Sequence, residues 1–453
     1  MAKRIYLCLA HMSGKEQAFI QEAFDTNWVV PLGPNVNGFE EDLKKFVERM
    51  PDQVGHDVDG AGHDVDGGGR NVSRHCRLDR QSATVGCPVE REVVALSSGT
   101  AAVHLGLLAC GVGPGDEVLV QSFTFCASSH PVTYLGATPV FIDSEKESWN
   151  MDPDLLEEAI KDRIAMTGRV PKAIVPVALY GMPYQVDRIL EIADRYGIPV
   201  VEDAAEGFGS RFDGQVLGTF GKFGVLSFNG NKMITTSGGG ALICADAASK
   251  QTIMWYATQA REAYPYYQHE AIGYNYRLSN ICAGIGRGQM TVADEHIAHH
   301  KHVFELYREL LADVPGIEVH GNPSPRYDSN FWLNTITLDP SVRIVGQENA
   351  YASVVQGAVG GAAGVVHAAS TAVTDCQPND NVEALRVFLD AAGIEARPLW
   401  KPMHKQPVYR SAPAYVNGVS EALFKVGMCL PSGPCVTDED VRYIVESIKS
   451  AIV

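Results

Sequence analysis

One recurrence constrains this chain more than any other feature: short, continuous runs of apolar and β-branched residues alternate with amphipathic stretches. The runs fall at residues 93–96, 118–120, 139–142, 173–177, 199–201, 223–228 and 241–244. Between two of them, Val186, Ile189, Leu190, Ala193 and Tyr196 follow the spacing of a helix with one apolar stripe. Strands that are apolar throughout are buried on both faces, so the alternation predicts a mostly parallel sheet with helices on either side. Ligands of such sheets collect at the carboxyl ends of the strands, and chemistry is expected just after the runs. From about residue 280 helical patterning dominates (281–311), and a smaller α+β portion follows. Its last helix is expected to start near Thr437, whose hydroxyl can cap it, with Asp438, Glu439 and Asp440 in the first turn.

Two glycine-rich segments break this pattern and are read as insertions or loops. Residues 50–90 contain GHDVDGAGHDVDGG from Gly55 to Gly68, and residues 345–380 centre on QGAVGGAAGVVHAASTAVTD. His56, Asp57, Asp59, His63, Asp64 and Asp66 are nitrogen and oxygen ligands in principle, but a solvated loop is the plainer expectation, and no metal site is assigned. The sequon Asn71-Val72-Ser73 carries little weight without a secretory signal. The remaining organisation is an N-terminal segment 1–49, a large domain 91–297 and a small domain 298–453 carrying the second insertion.

Composition narrows the function classes. The 453 residues allow two to four domains, or one large domain with an appendage. Acidic residues number 54 against 37 basic ones, a net charge of −17, which repels phosphate backbones and anionic lipid. Neither nucleic acid nor a membrane is therefore an expected partner, although backbone amides can bind a phosphate locally. No run reaches the roughly 20 apolar residues of a membrane span, and the N-terminus lacks a signal-peptide core, so the cytoplasm is the expected location. The ten cysteines are scattered without a C-x-x-C pair and read as reduced, mostly buried thiols.

Four features lie where an α/β site should be. Ser97-Ser98-Gly99-Thr100 joins a strand to a helix start, a turn that presents amides and a hydroxyl to a phosphate. Glu202-Asp203-Ala204-Ala205-Glu206 puts carboxylates at a strand's carboxyl end, where one can hold a protonated ring nitrogen. In Ser227-Phe228-Asn229-Gly230-Asn231-Lys232, ahead of a Gly238-Gly239-Gly240 run, a lysine follows a buried strand and is a candidate Schiff-base amine. Phe123-Thr124-Phe125 offers an aromatic face to a planar ring. Each alone has a bland alternative, respectively a plain cap, a solvated helix start, a surface lysine and a core aromatic. Together they describe pyridoxal 5′-phosphate.

The motifs SGTAA, EDAAEGFGS, SFNGNKMITTSGGG and GYNYRLSNICAGIGRGQ resemble the nucleotide-sugar aminotransferases of the DegT family, over nearly the whole chain. The resemblance implies the aspartate-aminotransferase type of α/β fold (fold type I): a mostly parallel large domain and a smaller α+β C-terminal domain. It implies Lys232 as the Schiff-base lysine and proton shuttle, Asp203 as partner of the ring nitrogen, and Glu206 near the ring hydroxyl, where many relatives carry Gln or His. Phe125 would stack on the ring, and Gly99, Thr100 and Ser227 would hold the phosphate. Asn275 would reach the phosphate of a neighbouring subunit, implying a homodimer with shared sites, while Arg277 in the same motif is given no role. SFNGNK with GPNVNGFE and RPLWKPMH is most similar to enzymes aminating UDP-linked 4-keto-6-deoxy-N-acetylhexosamines, the bacillosamine-type step, with L-glutamate as donor. Trp28, Pro31, Leu32, Gly33 and His404 would then line the sugar-nucleotide cleft. Two alternatives share the fold: a non-catalytic sensor, and a sugar dehydratase, against which Lys232 stands because dehydratases carry histidine there.

Overall fold

The computed structural model describes residues 4–49, 90–351 and 376–453. The histidine–aspartate repeat, the sequon, Cys76, Cys87 and the centre of the second glycine-rich segment lie outside the described residues. Two helices, α1 (Glu16–Asp25) and α2 (Pro34–Glu48), come first. Then follow β1 (Glu92–Leu96), α3 (Gly99–Ala109), β2 (Glu117–Gln121), α4 (His130–Tyr134), β3 (Thr138–Ile142), α5 (Pro153–Thr167), β4 (Ala173–Val175), α6 (Val186–Tyr196) and β5 (Val201–Asp203). After the short strands β6 (Arg211–Phe212) and β7 (Gln215–Val216) come β8 (Phe223–Ser227), β9 (Gly240–Cys244) and α7 (Ala247–Ala257).

β1, β9, β8 and β5 form one ladder, and β4, β2, β3 and the late strand Ala414–Tyr415 form another. Parallel bridges Ile174–Val200 and Val177–Asp203 join the two into one sheet. Only β9 runs against its neighbours, so the sheet is mostly parallel as the patterning predicts. Alternate residues of each strand enter different cores: Val93 and Ala95 pack beneath α2, α5 and α6, whereas Val94 and Leu96 pack against α3 and α7. Apolar runs without polar interruption are the sequence trace of this double burial.

Two strands have boundaries that differ from expectation by more than one residue. The run at 173–177 yields a strand ending at Val175, and the run at 199–201 yields one at Val201–Asp203. Pro176 and Pro199 lack the amide proton that a ladder needs, which shifts both edges. Asp203 is therefore the last strand residue rather than the first loop residue. The stretch 281–311 is two helices, α8 (Asn280–Met290) and α9 (Ala293–Leu311), parted by a turn at Thr291–Val292.

α9 spans two cores. Ala293 belongs to the large core, while Val303, Tyr307 and Leu311 belong to a second one. The border expected at 297/298 thus falls inside an unbroken helix. The second core is closed by β10 (Ile317–Val319), β11 (Asn334–Leu338), β12 (Gly427–Leu430) and the helices Asp380–Ala391 and Asp438–Ala451. The last helix carries the expected cap: the Thr437 side chain accepts from Asp440 N, and the Asp440 side chain accepts from Thr437 N. Among the described cysteines, Cys8, Cys244, Cys376 and Cys429 are buried, Cys110, Cys126 and Cys282 half-buried and Cys435 exposed, all as free thiols. No helix of the described residues is long and apolar enough to cross a membrane.

Candidate active site

The carboxyl ends of β1, β5 and β8 share one edge of the sheet, because β1 and β8 both flank the antiparallel β9. Leu96 and Ser227 each pair with Gly240. The start of α3 presses onto this point: a Cβ on Gly240 would lie 2.4 Å from Gly99 N, and one on Gly99 would lie 2.9 Å from Ser227 Cβ. Only glycine at these two positions lets helix start, Ser227 and strand meet. Ser98 caps the helix, its Oγ accepting from Ala101 N at 3.0 Å. The amides of Gly99 and Thr100 have no acceptor within the helix and lie at its positive end, a cradle suited to a phosphate.

Next along the edge is Asp203, buried, with Oδ2 accepting from Ser128 Oγ at 2.6 Å and Oδ1 from Ala205 N at 3.2 Å. Ser128 in turn contacts Thr124 Oγ1 at 2.8 Å. Burial raises the Asp203 carboxyl above its ordinary range, opposed by these hydrogen bonds and by the charge of Lys232. Among the described residues Asp203 forms no salt bridge. A buried carboxylate so placed is suited to a cationic partner such as a protonated ring nitrogen.

Lys232 follows β8 in a tight loop, with its amide donating to Asn229 O at 3.0 Å. Its Nζ donates to Glu206 Oε1 at 3.2 Å and lies 3.9 Å from the centroid of the Trp332 ring. Glu206 Oε2 accepts from Tyr180 N at 2.7 Å, and burial pushes the Glu206 carboxyl up to about 7 against the opposing pull of Lys232. Tyr180 reaches this contact in a left-handed conformation, φ 54°, a strain that non-glycine residues keep where surroundings fix it. Amine, two carboxylates and the α3 start thus lie along one edge of the sheet.

Phe125 is 54% exposed and inclines on Trp400 at 5.5 Å between ring centroids. Both line a cavity of about 440 Å³ with Thr124, Cys126, Lys401 and Gln406. None of the five expected cleft residues lines it. His404 Nδ1 lies 2.6 Å from Ser122 Oγ, anchoring the C-terminal segment to the end of β2. Trp28, Pro31 and Leu32 are exposed ahead of α2, and Gly33 begins it with φ 135°, where a Cβ would lie 2.8 Å from Asn280 Oδ1. Asn280 straps this segment, donating to Trp28 O at 2.9 Å and accepting from Asn35 N at 2.9 Å. Asn275 is exposed on a segment bridged to Thr258. Arg277, left without a role above, forms a nearly buried ion pair with Glu40 at 2.6 Å, and Glu40 also accepts from Ala95 N, so this motif ties α2 to β1.

Sequence reasoning missed Ser128, Tyr180, Trp332 and Trp400. Ser128 had a local signal, a hydroxyl just past Phe123-Thr124-Phe125. Trp400 lies within RPLWKPMH but had no role assigned, and Tyr180 and Trp332 come from distant segments with no motif of their own.

The sequence matches the DegT/DnrJ/EryC1/StrS aminotransferase family over residues 87–352 and 347–449. It is 39% identical to EpsN of Bacillus subtilis (strain 168), which bears the name of a pyridoxal phosphate-dependent aminotransferase, covering 98% of this chain and 95% of that protein. It is 30% identical to the GDP-perosamine synthase of Escherichia coli O157:H7, covering 96% and 95% respectively. The crystal structure of a DegT/DnrJ/EryC1/StrS aminotransferase from Brucella abortus superposes with a TM-score of 0.74 at 24% identity, over 96% of this chain and 95% of that one. The chain belongs to the DegT/DnrJ/EryC1/StrS aminotransferase family, with pyridoxal phosphate as its cofactor.

Proposed function

We propose that the enzyme transfers an amino group to a nucleotide-linked keto sugar, specifically a UDP-linked 4-keto-6-deoxy-N-acetylhexosamine, with L-glutamate as donor. The observation that carries the reading is Lys232 Nζ, held between Glu206 and the Trp332 face at the edge where Asp203 and the α3 start also lie. Bound pyridoxal phosphate supplies an electron-accepting ring, which lets a proton leave the carbon bearing the amine. Asp203 holds the ring-nitrogen proton, with Ser128 and Ala205 N fixing its oxygens. The Lys232 amine takes the proton from the donor carbon and returns it elsewhere, and Glu206 keeps that amine within reach. Gly99, Thr100 and Ser227 hold the phosphate end, so the ring cannot slide when Lys232 moves.

The substrate assignment is supported by the RPLWKPMH tail, which puts Trp400 and Lys401 beside Phe125: aromatic faces and a cation suited to a base, a sugar and a diphosphate. The same reading makes the enzyme a cytoplasmic homodimer, with Asn275 completing the neighbour's phosphate site. The likeness to GDP-perosamine synthase favours a second substrate, a GDP-linked keto sugar.

The test is an assay of UDP-, dTDP- and GDP-linked 4-keto sugars with glutamate, following the amino sugar by mass. UDP-sugar turnover supports the first assignment, and turnover of the GDP-sugar alone replaces it. Lys232→Ala should keep the fold and lose on the order of 10⁴-fold or more in kcat. Full activity in that variant ends the reading altogether.

A further inference from the structure

Lys232 has no strand to hold it, yet the backbone on both sides of it is pinned by side chains. Trp332 Nε1 donates to Asn231 O at 2.6 Å. His296 Nδ1 lies 3.1 Å from Met233 O, and because a carbonyl only accepts, the imidazole donates. One helical turn further along α9, His300 Nδ1 donates in the same way to Phe331 O at 3.1 Å, the residue before Trp332. One turn beyond that, the Phe304 ring stacks on Phe331 at 3.7 Å with the planes 4° apart. Residues 296, 300 and 304 thus form one row of α9, facing both the lysine loop and the tryptophan that carries the lysine.

These histidines are poor choices for packing alone. Both are buried, and in each the Nε2 has no hydrogen-bond partner among the described residues. A half-satisfied buried imidazole is costly where an aliphatic side chain would fill the same space. Burial lowers the pKa of both, that of His300 to about 3, which keeps the rings neutral with their single proton free for the carbonyl.

We infer that His296 and His300 are positioning residues for the reaction: from one face of α9 they tether the Lys232 loop and the Trp332 segment, and so fix where the lysine amine sits. Neither ring touches the amine. Because α9 also enters the second core through Val303, Tyr307 and Leu311, the tether makes the amine's position depend on how that core is seated. The inference rests on the reading of Lys232 as the reacting amine.

The experiment compares His296→Leu and His300→Leu with His296→Asn and His300→Asn in the full chain, the asparagine amide taking the place of the Nδ1 donor. Each leucine variant should lose about tenfold or more in kcat with KM for glutamate near the parent value, and each asparagine variant should recover most of that loss. The second readout needs no turnover: reductive methylation of Lys232 in the cofactor-free full chain, read by mass spectrometry. It should be faster in the leucine variants and return to the parent rate with asparagine. If a leucine variant does not fold, glutamine replaces it, its amide set one bond too far out. Asparagine should then match the parent and glutamine should not. Leucine or glutamine variants that match either the parent or their asparagine counterparts in both readouts overturn the inference. The methylation rate separates this result from failure of the functional reading, which full activity of Lys232→Ala would show.

Discussion

Asp203 and Lys232 lie on the same edge of the same sheet but are held in opposite ways. Asp203 is part of the ladder: its amide donates to Pro176 O at 2.9 Å and its carbonyl accepts from Ala178 N at 3.0 Å. Its carboxylate is fixed by a hydroxyl and an amide. Lys232 stands in a loop, and its amine is placed by a carboxylate and an aromatic face from other elements. The difference fits the role proposed for each group. A residue that only holds a proton on a ring can be rigid, whereas one that must leave, move a proton and return needs a loop. That loop then needs anchors which stay put while the side chain moves.

The sharpest way to break this comparison is Asp203→Asn. The variant should lose on the order of 10² to 10³ in kcat, because it no longer holds the charge that the ring nitrogen needs. In the cofactor-free chain, however, its melting temperature should equal or exceed the parent's, because burial disfavours the Asp203 carboxylate when no cation faces it. A large drop in the melting temperature of that form would mean that Asp203 serves the sheet rather than the cofactor.

A smaller effect is expected on the lysine side. Trp332→Leu removes both the face under Nζ and the tether to Asn231 O, and should cost about tenfold in kcat. Trp332→Phe keeps a face and loses only the donor, so an intermediate value separates the two roles. A phenylalanine variant no better than leucine would assign the whole effect to the tether.

The smallest effect concerns Glu206 and is read as stability. Burial raises its carboxyl from 4.5 to about 7, so between those pH values the folded, cofactor-free chain keeps a proton that the unfolded chain has released. That contribution is fully present below about pH 4.5 and is lost as pH rises through about 7. Glu206→Gln should flatten the fall of melting temperature across this window. An unchanged slope would show that another group titrates there.

How much was legible in the sequence follows from the range over which each signal acts. The apolar runs and the 186–196 stripe record which faces are buried, a property read residue by residue, and they located the sheet. The prolines at 176 and 199 shifted two strand edges because they change the donors rather than the apolar pattern. Ser98, Gly99, Asp203, Ser227 and Lys232 were visible because each stands at or just after the end of a strand. The roles of Trp332, Tyr180 and Trp400 were not, since their approach depends on how segments far apart in the chain pack together.

The sequence by itself determined the alternating sheet, the edge where chemistry is proposed and the lysine, carboxylates and Ser98–Thr100 turn upon it. Hydrophobic periodicity and strand ends are local, and the α/β arrangement follows from them. Only the tertiary structure decided what surrounds those groups: Ser128 on Asp203, Trp332 beneath Lys232, and His296 and His300 holding the two segments from α9. Such contacts join residues far apart in the chain, so they exist only once the elements that carry them are packed together.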